Sequence, residues 1–491
     1  MTDTTEATYD VVVIGAGAVG ENIADRAVQG GLTVVIVENE LVGGACSYWA
    51  CMPSKTLLRS GAAIDAAKRV PGAAEAVTGK IDPRAVLKRR NMITHDYDDD
   101  SQVKWLNKAG IDLVRGHARL TGVKHVTVTS NDGQTTTVLV ANHAVAVATG
   151  SASMLPAVPG LDSIDAWNSH EATAATVVPE SLAIIGGGVT AVEMAGAYNS
   201  LGSRVTLVAR SQLLRNQEPF AGEMVGEALE AAGVRLLTDT SPESAERNGA
   251  GDVQLRLSNG ETLTTSEVIV ATGQIPRTTD IGIEQFGLTS GDWLNVDDTL
   301  LVQGDSPGLQ GQWLYAAGDV NKRALFTHQG KYQARAAGDV IAARAKGLPV
   351  DDAPWGTHVA TADHTAVPSI VFTDPAVASV GLTSAAAERA EYNFRVVDYD
   401  LSWLAGASIL ADDYVGKARA VIDEDRGVIL GVTFVGQDVA ELLHSATIAV
   451  VGEVPLSRLW HAVPGYPTLS EIWLRLLETY GRPDTSATVG G

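Results

Sequence analysis

Short apolar runs, each closed by a cluster of glycines, recur along this chain. Val11-Val12-Val13-Ile14 leads into Gly15-Ala16-Gly17-Ala18-Val19-Gly20, and Thr33-Val34-Val35-Ile36-Val37 ends at Glu38. Such runs predict buried parallel strands with a helix between them. Residues 52–110 read as mainly helical: Leu57, Leu58, Ala62, Ala63 and Ala66 recur at helical spacing, and a charged stretch follows at Arg84–Arg90. A further strand, Ala144–Ala148, ends at Thr149-Gly150, and Pro156 and Pro159 mark a crossing to a new segment. There the pattern repeats. Ser181–Ile185 predicts a strand, Gly186-Gly187-Gly188-Val189-Thr190-Ala191 a turn, and Arg204–Val208 the next strand; later Val268–Val270 runs into Ala271-Thr272-Gly273. From about Trp355 the texture changes, with helices predicted near Glu441–Gly452 and Leu469–Thr479.

A strand, a glycine turn, a helix, a strand and a terminal acid, in that order, describe a dinucleotide site. The glycines permit a tight turn, close approach of a pyrophosphate and close packing of the helix on the strand. The acid, Glu38, can accept hydrogen bonds from an adenosine ribose. The duplication predicts two such sites. The second differs at its far end, where Val208 is followed by Ala209 and Arg210, with Arg215 close behind. A carboxylate would repel a 2′-phosphate and a guanidinium pairs with it, so this end favours NADPH over NADH.

Only two cysteines occur in 491 residues, Cys46 and Cys51, so no structural disulfide framework exists. Four intervening residues let the sulfurs bridge each other, as a redox pair that opens and closes in each cycle requires. The net charge of −22 argues against nucleic acid or anionic membrane as a partner. No apolar segment approaches the roughly 20 residues that span a bilayer. Met1–Asp10 is polar and acidic, without the basic start of a secretory signal. A cytoplasmic location is expected, because a reducing compartment suits a catalytic disulfide. No metal site is expected.

Together these residues resemble the FAD-dependent pyridine nucleotide–disulfide oxidoreductases, over essentially the whole chain. The resemblance implies an α/β fold with two Rossmann-like dinucleotide-binding domains, for FAD and NAD(P), and a C-terminal α+β dimerisation domain. The segments would be 1–155 and 281–354 for FAD, 156–280 for NAD(P) and 355–491 for dimerisation. For FAD it implies Gly15, Gly17, Gly20, Glu38, Gly44, Ala118 in Gly116–Leu120, Thr149, Gly150, Gly273, and Gly318 and Asp319 in Leu314–Asp319, with Thr327 and His328 beside the isoalloxazine. For NADPH it implies Gly186, Gly188, Thr190, Arg210 and Arg215, although the family's arginines are spaced one residue further apart. Cys51 would form the thiolate next to the flavin, and Cys46 would attack the substrate. Lys55 resembles the lysine near flavin N5, and Glu193 the glutamate that pairs with it. The segment Val367–Pro375 and Ala378–Thr383 resembles the start of the dimerisation domain, with Ala376 where a glutamate is common.

One departure bears on chemistry. The family's histidine base, supplied by the partner subunit in a His-Pro-Thr-x-Ser-Glu segment, falls at Tyr466, followed by Pro467-Thr468-Leu469-Ser470-Glu471. Phenols have a reference pKa of about 10 and are poor proton acceptors at neutral pH. His461 lies five residues upstream and is not assigned a role. Mercuric reductase also lacks that histidine but uses a C-terminal cysteine pair; Thr485–Gly491 contains no thiol. The expectation is a homodimeric NADPH oxidoreductase whose C-terminal segment completes the partner's active site. Its small-molecule acceptor would be a disulfide, a quinone or another two-electron acceptor. A dihydrolipoamide dehydrogenase-like disulfide reductase with a modified proton relay and a non-catalytic flavoprotein component stand as alternatives.

Overall fold

The computed structural model describes residues 3–482; Met1, Thr2 and residues 483–491, with the thiol-free stretch Thr485–Gly491, lie outside them. The chain forms two compact units. The first comprises residues 1–53, 88–154 and 273–364, and the second 54–87, 155–272 and 365–491.

The first unit is built on β1 (Asp3–Ile14), α1 (Ala18–Gln29), β2 (Val34–Glu38), α2 (Gly44–Tyr48) and the first residues of α3 (Cys51–Lys68). With β3 (Ile111–Arg115), β4 (His117–Gly122), β5 (His125–Thr129), β6 (Thr135–Val147) and the strand Leu314–Ala316, these make a seven-stranded sheet ordered β3-β2-β1-β6-β5-β4. Leu314–Ala316 pairs with β6, and β1, β2 and β3 run parallel. Val11, Val12 and Val13 are wholly buried, each stabilising the fold by about 1.5–3 kcal/mol relative to exposure. β1 is longer than its apolar run. Its polar first half, Asp3–Tyr9, pairs with Thr135–Ala141, and the register shifts between Tyr9 and Val11 before the buried half begins.

In the second unit, Arg235–Leu237, Arg204–Val208, Ser181–Ile185 and Glu267–Val270 form a four-stranded parallel sheet in that order. A three-stranded antiparallel sheet (Pro242–Arg247, Val253–Leu257, Thr262–Thr265) accompanies it. Leu57 and Val86 join a core shared with Leu182, Ile184, Ala191 and Val205, which explains why residues 54–87 pack in this unit. Residues 369–436 form a five-stranded antiparallel sheet whose strand Val428–Gly436 is buried throughout. The helices Leu443–Val451 and Ile472–Tyr480 follow it.

Candidate functional site

The glycine turn of the first unit is fixed by contacts that no side chain tolerates. Gly15 has φ +100°, and a Cβ there would stand 2.5 Å from the Ala148 carbonyl oxygen; at Gly20 it would stand 1.8 Å from that of Gly15. Gly17 differs: a Cβ would meet only the Gly44 Cα, at 3.9 Å, so its face is open. Gly43 bridges to Gly17 and its N–H donates to the Ala16 carbonyl at 2.8 Å, laying the start of α2 across the turn. This is a concave backbone surface at the N-terminus of α1, the geometry that receives a pyrophosphate.

Other residues fit the same elongated ligand. Glu38 is buried at the end of β2. It accepts from Ala16 N–H (2.7 Å) and Glu40 N–H (2.8 Å), while burial pushes its carboxyl up. Ala118 is buried in β4. Thr149 Oγ1 is buried without a hydrogen-bond partner, and Gly150, at φ +72°, has open space where a Cβ would be. Asp319 accepts from Ser151 Oγ at 2.7 Å, and burial raises its carboxyl. Gly273, at φ +146°, accepts from Met154 N–H at 2.9 Å. An orphaned hydroxyl and a glycine-lined cradle beside a buried acid suit FAD: Gly17, Thr149 and Asp319 would hold its pyrophosphate and sugar-like portions.

The thiols lie in this unit. Cys46 sits in α2 and Cys51 opens α3. Cys51 Sγ is 3.3 Å from Thr327 Oγ1, at the first turn of the Thr327–Ala345 helix. Cys46 is held far above the ordinary thiol range, first by its hydrogen bond with Cys51 and then by burial. The Cys51 sulfur thus lies beside a hydroxyl and a helix N-terminus, a setting that favours negative charge. His328 is exposed, its ring stacked on Phe326 at 5.3 Å.

In the second unit the glycine turn repeats. Gly186 has φ +142°, and a Cβ there would stand 2.3 Å from the Ala271 carbonyl oxygen, whereas at Gly188 it would meet open space. Gly188 and Thr190 are exposed at the start of the Val189–Ser200 helix. Arg210 and Arg215 are exposed after the buried Ala209, and neither forms an ion pair among the described residues. Lys55 Nζ lies 2.7 Å from Glu193 Oε2, with Glu193 almost wholly buried. Sequence reasoning missed the third member of this group. Phe372 N–H donates to Glu193 Oε1 at 2.9 Å, and its ring lies 5.1 Å from the Lys55 ammonium. Tyr466 is 77% exposed. Glu471 is buried, and its Oε2 has no hydrogen-bond partner. His461 is exposed.

Glu21 was also missed, because an acid on a helix near a glycine turn reads as a surface charge. It is 9% exposed, its Oε1 has no partner, and burial pushes its pKa up to about 7. Lys331 opposes that shift and Glu38 adds to it. Below the ordinary value of 4.5 both folded and unfolded states hold the proton. As pH rises through about 7 the folded state must ionise a buried acid, so stability present at low pH is lost, by ~3 kcal/mol at most. Glu21→Gln is expected to melt higher than wild type by a margin that grows between pH 5 and pH 8. A margin independent of pH in thermal unfolding would refute the assignment.

Comparison with known proteins places the chain. Residues 9–340 match the family described as pyridine nucleotide-disulphide oxidoreductase, and residues 367–476 match the dimerisation domain of that name. Mercuric reductase from Streptomyces lividans is 30% identical over 480 residues, covering 96% of each chain. Dihydrolipoyl dehydrogenase from Chlorobaculum tepidum is 30% identical over 479 residues, again covering 96% of each. Among solved structures, a Cu(II) complex of the HOCl-induced flavoprotein disulfide reductase RclA from Escherichia coli superposes with a TM-score of 0.80. It shares 22% identity, over 96% of this chain and 99% of that one. Fold and site define a flavin-dependent oxidoreductase that uses a pyridine nucleotide. The chain belongs to the pyridine nucleotide-disulphide oxidoreductase family. The dimerisation-domain match supports a homodimer, and no helix among the described residues is long and apolar enough to cross a membrane.

Proposed function

We propose that the protein oxidises NADPH, in preference to NADH, and passes two electrons through FAD to a redox-active Cys46–Cys51 pair and on to a small-molecule acceptor. The observation that carries this reading is the close thiol pair, with Cys46 pushed up by its hydrogen bond with Cys51 and by burial, and Thr327 Oγ1 3.3 Å from the Cys51 sulfur. Bound FAD supplies two-electron chemistry between nicotinamide and sulfur. The chain's own residues do the rest. Gly186, Gly188 and Thr190 receive the nucleotide's pyrophosphate, and Arg210 and Arg215 its 2′-phosphate. Lys55, fixed by Glu193, presents a cation where negative charge develops on reduction. His328 lines the flavin rather than moving protons. Two electrons and a proton from the nucleotide, with one proton from solvent, convert the disulfide to two thiols. Cys46, giving up its proton, attacks an acceptor disulfide and releases the first acceptor thiol; Cys51 then attacks the Cys46 sulfur of the mixed disulfide, releasing the second acceptor thiol and re-forming the Cys46–Cys51 disulfide.

The working unit on this reading is a cytoplasmic homodimer with the four segments expected from the sequence, each C-terminal segment completing the partner's site. Direct reduction of a quinone is a second reading. It is favoured by Tyr466, exposed where the family places its base, and by the unpartnered Glu471 Oε2. The C-terminal cysteine-pair route of mercuric reductase is not part of this reading, since both cysteines of this chain lie in residues 46–51.

The test is an NADPH-coupled panel of lipoamide, low-molecular-weight disulfides, quinones and mercuric ion, run on wild type and Cys46→Ser. The variant is expected to lose disulfide turnover. Undiminished disulfide turnover in Cys46→Ser would remove the thiol pair from the pathway.

A further inference from the structure

Behind the turn that carries Asp319 runs a chain of buried hydrogen bonds that the proposed reaction does not use. Gln333, on the Thr327–Ala345 helix, is wholly buried. Its Oε1 accepts from Gly318 N–H and from Asn321 Nδ2, each at 2.8 Å. Asn321 also donates to the Ala316 carbonyl at 3.1 Å, so both ends of the Gly318–Asn321 turn are tied to one amide oxygen. On its other side Gln333 Nε2 donates to Asp363 Oδ2 at 2.9 Å, while Asp363 Oδ1 accepts from Gln329 Nε2 at 2.7 Å. Arg323 Nε lies 3.4 Å from Asp363 Oδ2, and the Asp363 side chain has no exposed surface.

The direction of the chain follows from donor chemistry. A carboxylate only accepts, so Asp363 takes the NH₂ end of both glutamines. That choice turns Gln333 Oε1 toward Gly318 and Asn321. An inverted amide would set two donors against two donors, with each unmet buried group costly. The turn is also held in front, where Gly318, at φ +80°, leaves space only for Val19, and Asp319 accepts from Ser151 Oγ.

We infer that Gln333, oriented by Asp363, is a positioning residue that sets Asp319 for holding FAD. The inference rests on the reading of Asp319 as an FAD ligand. Neither glutamine touches the site where FAD would lie through any hydrogen bond of its own; each acts through the turn.

The experiment measures FAD dissociation by ultrafiltration, with the visible circular dichroism of bound flavin, on holoenzyme variants. Gln333→Leu is expected to weaken FAD binding about tenfold, the loss of about one buried hydrogen bond's worth of free energy. Combined with Asp319→Asn, it should add less than about twofold, because both act on one contact. Gln333→Glu sets a carboxylate against Asp363 and should loosen FAD. Adding Asp363→Asn reverses donor and acceptor along the chain and should restore binding to within about threefold of wild type. That swap decides the matter even if Gln333→Leu does not fold. Additive losses in Gln333→Leu/Asp319→Asn, or no rescue by Asp363→Asn, overturn the role of Gln333. Unchanged FAD binding in Asp319→Asn overturns instead the reading of Asp319.

Discussion

Tyr466→His is expected to raise turnover of small disulfides about 10²-fold while leaving quinone turnover nearly unchanged. A positioned acid–base group contributes roughly 10²–10⁴-fold, and a phenol with a reference pKa of about 10 supplies little of that at neutral pH. On the proposed reading, the frame around residue 466 would receive an imidazole. Glu471 is buried with Oε2 unpartnered, the acceptor that a histidine N–H would need in order to be oriented, and Pro467, Thr468 and Ser470 keep the family spacing. Glu471→Gln introduced into Tyr466→His should take the gain away again. Stopped-flow reduction of lipoamide and glutathione disulfide measures it. A wild type that already turns over a small disulfide at about 10 s⁻¹ or more would mean that another proton relay operates. The quinone reading would then lose its main support.

NADPH is expected to exceed NADH in kcat/KM by about 10²-fold, and Arg210→Glu to narrow or invert that ratio. Arg210 and Arg215 are exposed, form no ion pair among the described residues and follow a buried alanine where an acid would exclude the 2′-phosphate. Two charge-assisted contacts of ~1.5 kcal/mol each give a factor of this size. Exposed charges are screened, so the preference should shrink as ionic strength rises. The glutamate of Arg210→Glu repels the phosphate and can accept from a ribose hydroxyl, which moves both nucleotides in opposite directions. Equal efficiencies in the wild type would sink the assignment, and a ratio unaffected by Arg210→Glu would shift it to Arg215 alone.

Much of this molecule was legible because buried parallel strands carry their own boundaries. Ser181–Ile185 and Arg204–Val208 are strands over the residues their apolar runs predict. The first half of β1 was not legible. Its residues Asp3–Tyr9 are mostly polar, with neither an apolar run nor a regular alternation, and they pair with Thr135–Ala141 alongside. Lys55 and Glu193 were legible through family resemblance, since nothing local distinguishes them from surface charges. Phe372 contributes a backbone N–H, which no side-chain pattern encodes. Gln333 and Asp363 stand 30 residues apart, and a buried amide is indistinguishable in sequence from a solvated one.

The two glycine turns also set where this enzyme can change in evolution or by design. In each, the first glycine is jammed against the carbonyl of an Ala-Thr-Gly strand end, Ala148 for Gly15 and Ala271 for Gly186. Turn and strand end are thus one mechanical part, and neither can be altered without moving a central strand. The third position is different in the two copies. Gly20 has no room for a methyl group, while Ala191 already carries one, its Cβ 3.5 Å from where a Cβ on Gly186 would lie. The second turn therefore accommodates one methyl that the first cannot. On the proposed reading of Arg210 and Arg215, a change of coenzyme would proceed through Ala209–Arg215, at the free end of the strand, and leave the second glycine turn unaltered.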